Sequence, residues 1–143
     1  MNSDMRNAEG YVDPVPFEVM RNIVREERKT ARPAFRPLVY ICSPFSDNPG
    51  ANTEKAKRYC RFAVDAGAIP FASHLFLPQF MSEETERETA MFFNKVFLGR
   101  CEQLWVFGDR ISEGMAREIR WAERRFKEIR YFTEECEERN KED

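Results

Sequence analysis

The chain has 143 residues, 42% hydrophobic and 34% charged, with 23 Lys and Arg against 25 Asp and Glu and a formal net charge of −2. That length suits one ordinary domain with tails, and the composition excludes a disordered or membrane protein. Charges of both signs are interleaved, so no basic face of the kind that polymeric nucleic acid requires is expected.

The segment Met1 to Gly10 lacks the basic and then apolar pattern of a signal peptide, and no apolar run approaches bilayer length. The expected compartment is the cytoplasm, with no membrane partner. Cys42, Cys60, Cys101 and Cys136 are widely spaced with no Cys-x-x-Cys pair. They read as reduced thiols. The single histidine, His74, cannot build a metal site by itself, and neither a metal nor a cofactor is expected.

In chain order, Pro14 and Pro16 precede Phe17 to Arg28, where Val19, Met20, Ile23 and Val24 recur at helical spacing. Residues 1–35 thus form a polar tail and an accessory helix that ends at Arg32-Pro33. Pro37 to Cys42 is a β-favouring run that breaks into the turn-forming cluster Ser43 to Gly50. Asn52 or Thr53 is expected to cap the next helix, whose buried stripe is Ala56, Tyr59, Cys60, Ala63 and Ala66 and whose stop is Gly67. Ala68 to Ala72 is a second short strand, leading to Ser73, His74 and an irregular stretch.

Ser82 and Thr85 open an acidic first turn, and the helix that follows runs through Met91, Phe92, Phe93, Val96, Phe97 and Leu98 to Gly99. Six large residues at nearly consecutive positions cover more than one face, so a second copy of the chain is expected to hide part of them. Glu102 to Phe107 is the third strand, and Gly108 to Ser112 the loop leaving it. Ser112 caps a helix whose Met115, Ile119, Ala122 and Phe126 are spaced to face the core. Ile129 to Phe132 closes a domain spanning 36–132, and residues 133–143 form a charged tail expected to be helical at most in part. Alternating strands and helices predict a parallel sheet with helices on both faces. Such sheets bind ligands outside the carboxyl ends of their strands, which brings together Ser43 to Asn52, Ser73 to Gln79 and Gly108 to Glu118.

Within Ile111-Ser-Glu-Gly-Met-Ala-Arg-Glu118 a capping hydroxyl, a small residue and a carboxylate fall in the first two turns of a helix. Two readings fit that spacing. The exposed N–H groups and helix dipole suit an anion such as a phosphate. Alternatively, Ser112 only caps, and Glu118 pairs with Arg117, Arg120 or Arg124 on a solvated face.

Four blocks, Val39-Tyr-Ile-Cys-Ser-Pro-Phe45, Ala68-Ile-Pro-Phe-Ala-Ser-His74, Leu104-Trp-Val-Phe-Gly108 and Ile111 to Glu118, together resemble the nucleoside 2-deoxyribosyltransferase-like superfamily, in its small phage and bacterial branch. The resemblance covers roughly Arg36 to Phe132. It implies a flavodoxin-like or Rossmann-like domain that cleaves the N-glycosidic bond of deoxynucleosides or their 5′-monophosphates, by hydrolysis or transfer. It also implies Glu118 as the attacking carboxylate and Tyr40 as the residue that positions it. Ser43, Pro44 and Phe45 would line the sugar and base pocket, and Ser112, Gly114 and Met115 would receive the sugar's 5′ end.

The family's usual aspartate at the start of the third strand is here Cys101-Glu102, so Glu102, or Asp109 from the next loop, is expected to serve the departing base. Arg110 is a candidate phosphate ligand, and Arg120 stands where a small residue is usual. His74 either touches the base or is a hydrogen-bonded histidine at a strand end. The resemblance further implies a homodimer or larger homo-oligomer. The alternative function on the same fold is a non-catalytic nucleotide-binding or sequestering protein.

Overall fold

The computed structural model describes residues 35–141. The expected N-terminal helix lies outside them. Five strands form one sheet in the order β2-β1-β3-β4-β5, where β1 is Leu38–Cys42, β2 Ile69–Phe71, β3 Gln103–Phe107, β4 Glu128–Phe132 and β5 Glu138–Arg139. The first four strands run parallel, and β5 is antiparallel to β4. Among the described residues no helix is long and apolar enough to cross a membrane.

Strand alternation divides the core between the two faces of the sheet. Val39, Ile41, Trp105, Phe107 and Phe132 pack with Tyr59 and Ala63 of helix α1 (Pro49–Asp65). Tyr40, Cys42, Leu104, Val106 and Tyr131 pack against Leu98 of α2 (Arg87–Arg100) and against Met115, Ile119 and Ala122 of α3 (Glu113–Arg124). The result is the three-layer α/β arrangement of a flavodoxin-like or Rossmann-like domain. Because β2 and β3 flank β1, the chain reverses direction across the sheet at β1, and a crevice opens between the loops after β1 and β3.

Helix boundaries differ from expectation for local reasons. Helix α1 starts one turn earlier than Asn52, because Asn48 accepts a hydrogen bond from the Ala51 N–H and Pro49 occupies the first position, where its fixed φ suits a helix. Asn52 is buried instead, and its Nδ2 donates to Phe45 O at 3.1 Å and Asp47 Oδ1 at 2.7 Å. That pins the loop after β1. Gly67 does end α1, with φ +89° and the Ala68 N–H returning to Ala63 O. Ser82 exchanges hydrogen bonds with Thr85 and Glu86, but the regular helix begins only at Arg87 and runs past Gly99 to Arg100.

On α2, Met91 and Leu98 are buried, whereas Phe92, Phe93 and Val96 are 62%, 37% and 47% exposed. Phe76 and Phe80, from the irregular segment after β2, extend this apolar face, with Phe76 5.0 Å from Phe80 and 6.2 Å from Phe97. All four cysteines are free, two buried and two half-buried.

Residues 133–141 contain no helix, within the expectation of helix at most in part: Thr133 organises a tight turn, and Glu138–Arg139 pairs with β4, with Arg130 bridging to Glu138. One expectation near the C-terminus is corrected. Phe126 does not face the core. Helix α3 ends at Arg124, and Phe126 sits just past it with φ 56° and 95% exposure, while the Lys127 N–H closes the cap on Ala122 O.

A side chain in the left-handed region costs about 1–2 kcal/mol, and at this position it gains no packing. Phe126→Gly is therefore expected to raise stability by roughly 0.5–1 kcal/mol after the added freedom of the unfolded chain is subtracted. Urea denaturation checks this, and a fall in the midpoint would show that the ring carries a contact.

Candidate functional site

The loops leaving β1, β2 and β3 converge on a cavity of about 360 Å³, within the usual range for a small-molecule site. Its floor is Glu118 of α3, only 3% exposed. Strand alternation turns Tyr40 and Cys42 toward that carboxylate. Tyr40 Oη donates to Glu118 Oε2 at 2.6 Å and lies 3.2 Å from Ser73 Oγ. The Cys42 thiol is within reach of Glu118 and lies 3.9 Å from Met115 O in the first turn of α3.

Burial is the largest influence on Glu118 and raises its pKa from an ordinary 4.5 to about 7. The hydrogen bonds from Tyr40 and Cys42, together with the positive charge of Arg117, oppose that rise. Burial, then the charge of Glu118, pushes the Tyr40 phenol well above its ordinary range, so it stays a proton donor. The surface reading of Glu118 fails: Arg117 pairs with Glu88 at 3.4 Å, and Arg120 points to solvent.

Ser43, Phe45, His74, Arg110, Ser112, Gly114 and Met115 all border the cavity. His74 stacks on Phe45 at 4.8 Å, and its Nε2 lies 3.0 Å from Ser43 O. Burial lowers the His74 pKa, so the ring is neutral and Nε2 carries the proton that Ser43 O accepts. The strand-end reading of His74 is thus met, and the ring also forms a wall of the cavity. Ser112 Oγ accepts from Met115 N at 3.2 Å, capping α3 at the cavity edge. Arg110 pairs with Asp47, and Ser46 donates to Glu83 at 3.0 Å, so the loop after β1 is tied across the mouth from two sides.

Three expected residues lie elsewhere. Glu102 precedes β3, where its Oε2 accepts from Leu38 N at 2.6 Å, so it sits at the opposite end of the strands from the cavity. Asp109 and Pro44 line a neighbouring cleft of about 330 Å³ on the α1 side, separated by the Asp47 and Arg110 side chains that border both spaces. The direction and length of β3 fix this outcome for Glu102, because a residue before a five-residue strand cannot reach its far end.

The structure adds Asn94, which sequence reasoning missed, and gives detail at Ser43 and Ser73, which the expected loop stretches already contained. Asn94 of α2 is 5% exposed, borders the cavity and leaves Oδ1 without a hydrogen-bond partner. Ser43 Oγ is likewise buried and unpartnered. Ser73 joins them through Tyr40, and Leu77, Pro78 and Met91 supply apolar wall. The signal for Asn94 was a lone amide at position 94 between Phe93 and Val96, a polar residue inside an apolar run. Among the described residues no group of three or more His, Cys, Asp or Glu side chains is placed to hold a metal ion.

A carboxyl whose folded pKa lies above its unfolded value favours the folded state when protonated. That contribution is full below about 4.5 and is lost as pH rises through about 7. Glu118→Gln keeps the shape and removes the charge. It is expected to be more stable than wild type above pH 8 by on the order of 3 kcal/mol, and no more stable below pH 4.5. Thermal unfolding across pH checks this, and a difference independent of pH would refute it.

A family model described as a domain of unknown function (DUF7768) matches residues 37–132, the span from β1 through β4. No curated protein matches the chain. Since the matched span covers most of the sequence and contains Glu118, Tyr40 and the cavity, the chain belongs to the DUF7768 family.

Proposed function

We propose that the protein cleaves the N-glycosidic bond of deoxynucleosides or deoxynucleoside 5′-monophosphates, with Glu118 as the nucleophile. The observation that carries this reading is the buried Glu118 carboxylate, held by the Tyr40 hydroxyl at 2.6 Å and facing a cavity of about 360 Å³. The resemblance of the blocks around Tyr40 and Glu118 to the deoxyribosyltransferase-like enzymes supports the same assignment.

The carboxylate attacks C1′ of the sugar while the C1′–N bond breaks and its electron pair leaves with the base. An ionised carboxylate stabilises the oxocarbenium-like centre and then captures it. Water attacks C1′ of the glycosyl-enzyme, its hydroxyl going to the sugar and its proton to the base nitrogen, and Glu118 leaves as a carboxylate. A second base in place of water gives transfer. Asn94, with its free Oδ1, and the His74–Phe45 stack are suited to a planar base bearing an N–H. The α3 start at Ser112 and Gly114 suits the sugar's 5′ end, and Arg110 becomes a phosphate ligand when its pairing with Asp47 opens.

A second reading, a non-catalytic nucleotide-binding protein, is favoured by one observation. Both acids expected to assist the departing base, Glu102 and Asp109, lie outside the cavity.

The test is a panel of deoxynucleosides and their monophosphates incubated with the protein, with free base and new nucleosides read by chromatography. The expected result is base release that rises with pH through about 7 and falls at least ~100-fold in Glu118→Gln. Near-normal turnover in that variant rejects Glu118 as the nucleophile. Tight binding without turnover supports the second reading.

The aromatic face of α2 supports assembly as at least a homodimer. Each large apolar side chain left exposed forgoes roughly 1.5–3 kcal/mol of burial. Light scattering at micromolar concentration is expected to give at least twice the mass of one chain, with Phe92→Glu shifting it toward one. A wild-type mass of one chain would exclude this assembly.

A further inference from the structure

Glu118 and Tyr40 have roles in the proposed chemistry, but Ser73 does not, although it is buried, polar and directed at the same pair. Ser73 follows β2 in a single 3-10 turn, Ser73–Leu75, and is 2% exposed. Its Oγ lies 3.2 Å from Tyr40 Oη, which lies 2.6 Å from Glu118 Oε2.

A phenol has one proton to give. With Glu118 ionised, the 2.6 Å contact commits that proton to the carboxylate, as expected for a short charge-assisted bond. Tyr40 Oη is then only an acceptor toward Ser73, and the Ser73 hydroxyl must be the donor. Three groups from three segments of the chain thus point one way, from Ser73 through Tyr40 to Glu118. Tyr40 Oη has no other hydrogen-bond partner among the described residues. Along such a chain each donor polarises the next and strengthens it.

We propose that Ser73 is a positioning residue for Glu118 acting through Tyr40: its hydroxyl fills the acceptor side of the phenol oxygen, which keeps the phenol's proton on the carboxylate and aims that carboxylate into the cavity. This deepens, and rests on, the assignment of Glu118 as nucleophile. The other titratable groups facing Glu118 are Cys42 from β1 and Arg117 from its own helix. His74 borders the same cavity, but its Nε2 is engaged by Ser43 O. None of Cys42, Arg117 and His74 hydrogen-bonds to Tyr40 Oη.

The experiment reads the titration of Glu118 without substrate, from the pH dependence of thermal unfolding in wild type, Ser73→Ala, Ser73→Thr, Tyr40→Phe and the Ser73→Ala/Tyr40→Phe double variant. Since the Tyr40 bond holds the pKa of Glu118 down, Ser73→Ala is expected to move the midpoint upward from about 7 and Tyr40→Phe to move it further. The double variant should match Tyr40→Phe alone, and Ser73→Thr, which keeps the hydroxyl, should return to wild type.

Where base release is measurable, Ser73→Ala should lower kcat more at pH 6 than at pH 9, with KM changed by less than about twofold. An unmoved midpoint in Ser73→Ala overturns the proposal. So does an equal shift in the Tyr40→Phe background, which would mean that Ser73 acts independently of Tyr40. A raised KM with unchanged kcat and midpoint would make Ser73 a substrate contact, and this too overturns it. Absence of turnover counts against the glycosidase reading alone, because the midpoints still decide the role of Ser73.

Discussion

The hydrogen bond between Tyr40 and Glu118 is the constraint around which this domain is arranged. Taking a carboxylate out of water is costly unless donors replace the lost hydration. Here the donors come from β1, and the acceptor comes from the second turn of a helix on the same face of the sheet. For the two to meet, β1 must present Tyr40 and Cys42 on the face toward α3, and α3 must begin at Ser112 so that residue 118 points inward. The cap at Ser112, the alternation of β1 and the buried stripe of α3 all satisfy that one geometric demand.

Much of this was legible in the sequence because period-2 and period-3.6 patterns carry the core. The alternation in Val39 to Cys42 assigns Tyr40 and Val39 to opposite faces, and Met115, Ile119 and Ala122 define the inner side of α3. Patterns lost their force at element ends. Phe126 continued the apolar spacing of α3 on paper, yet the helix had already closed at Arg124, where hydrogen-bond geometry decides the direction of the next side chain. The short β5 was hidden because its residues, Glu138 and Arg139, carry the charges proper to an exposed edge strand and no apolar alternation.

The site itself was legible only in part. Residues within the quoted blocks, such as Glu118, Ser112 and His74, were found because they lie beside strand ends. Asn94 lay outside those blocks, 24 positions from Glu118, and Ser73, though inside one, showed no role because its partner Tyr40 is 33 positions away. Glu102 misled for the opposite reason. It is near the third strand in sequence but at its wrong end in space, where it accepts the N–H of Leu38 as β1 begins. Polarity along a parallel strand therefore matters as much as proximity to it, since the loops that line the cavity leave the carboxyl ends of the strands.

Helix α2 has two faces with different occupants. Met91 and Asn94 look into the cavity, while Phe92, Phe93 and Val96 look outward. Successive residues on a helix are only about 100° apart, so neither face can shift or rotate without moving the other. A ligand in the cavity and a body resting on the outer phenylalanines thus act on one rigid rod. Thermodynamic reciprocity follows: if covering the aromatic face changes the affinity of the cavity by some factor, filling the cavity changes the affinity of the face by the same factor. Were the body on that face a second copy of the chain, such coupling would make occupancy of the cavity depend on protein concentration.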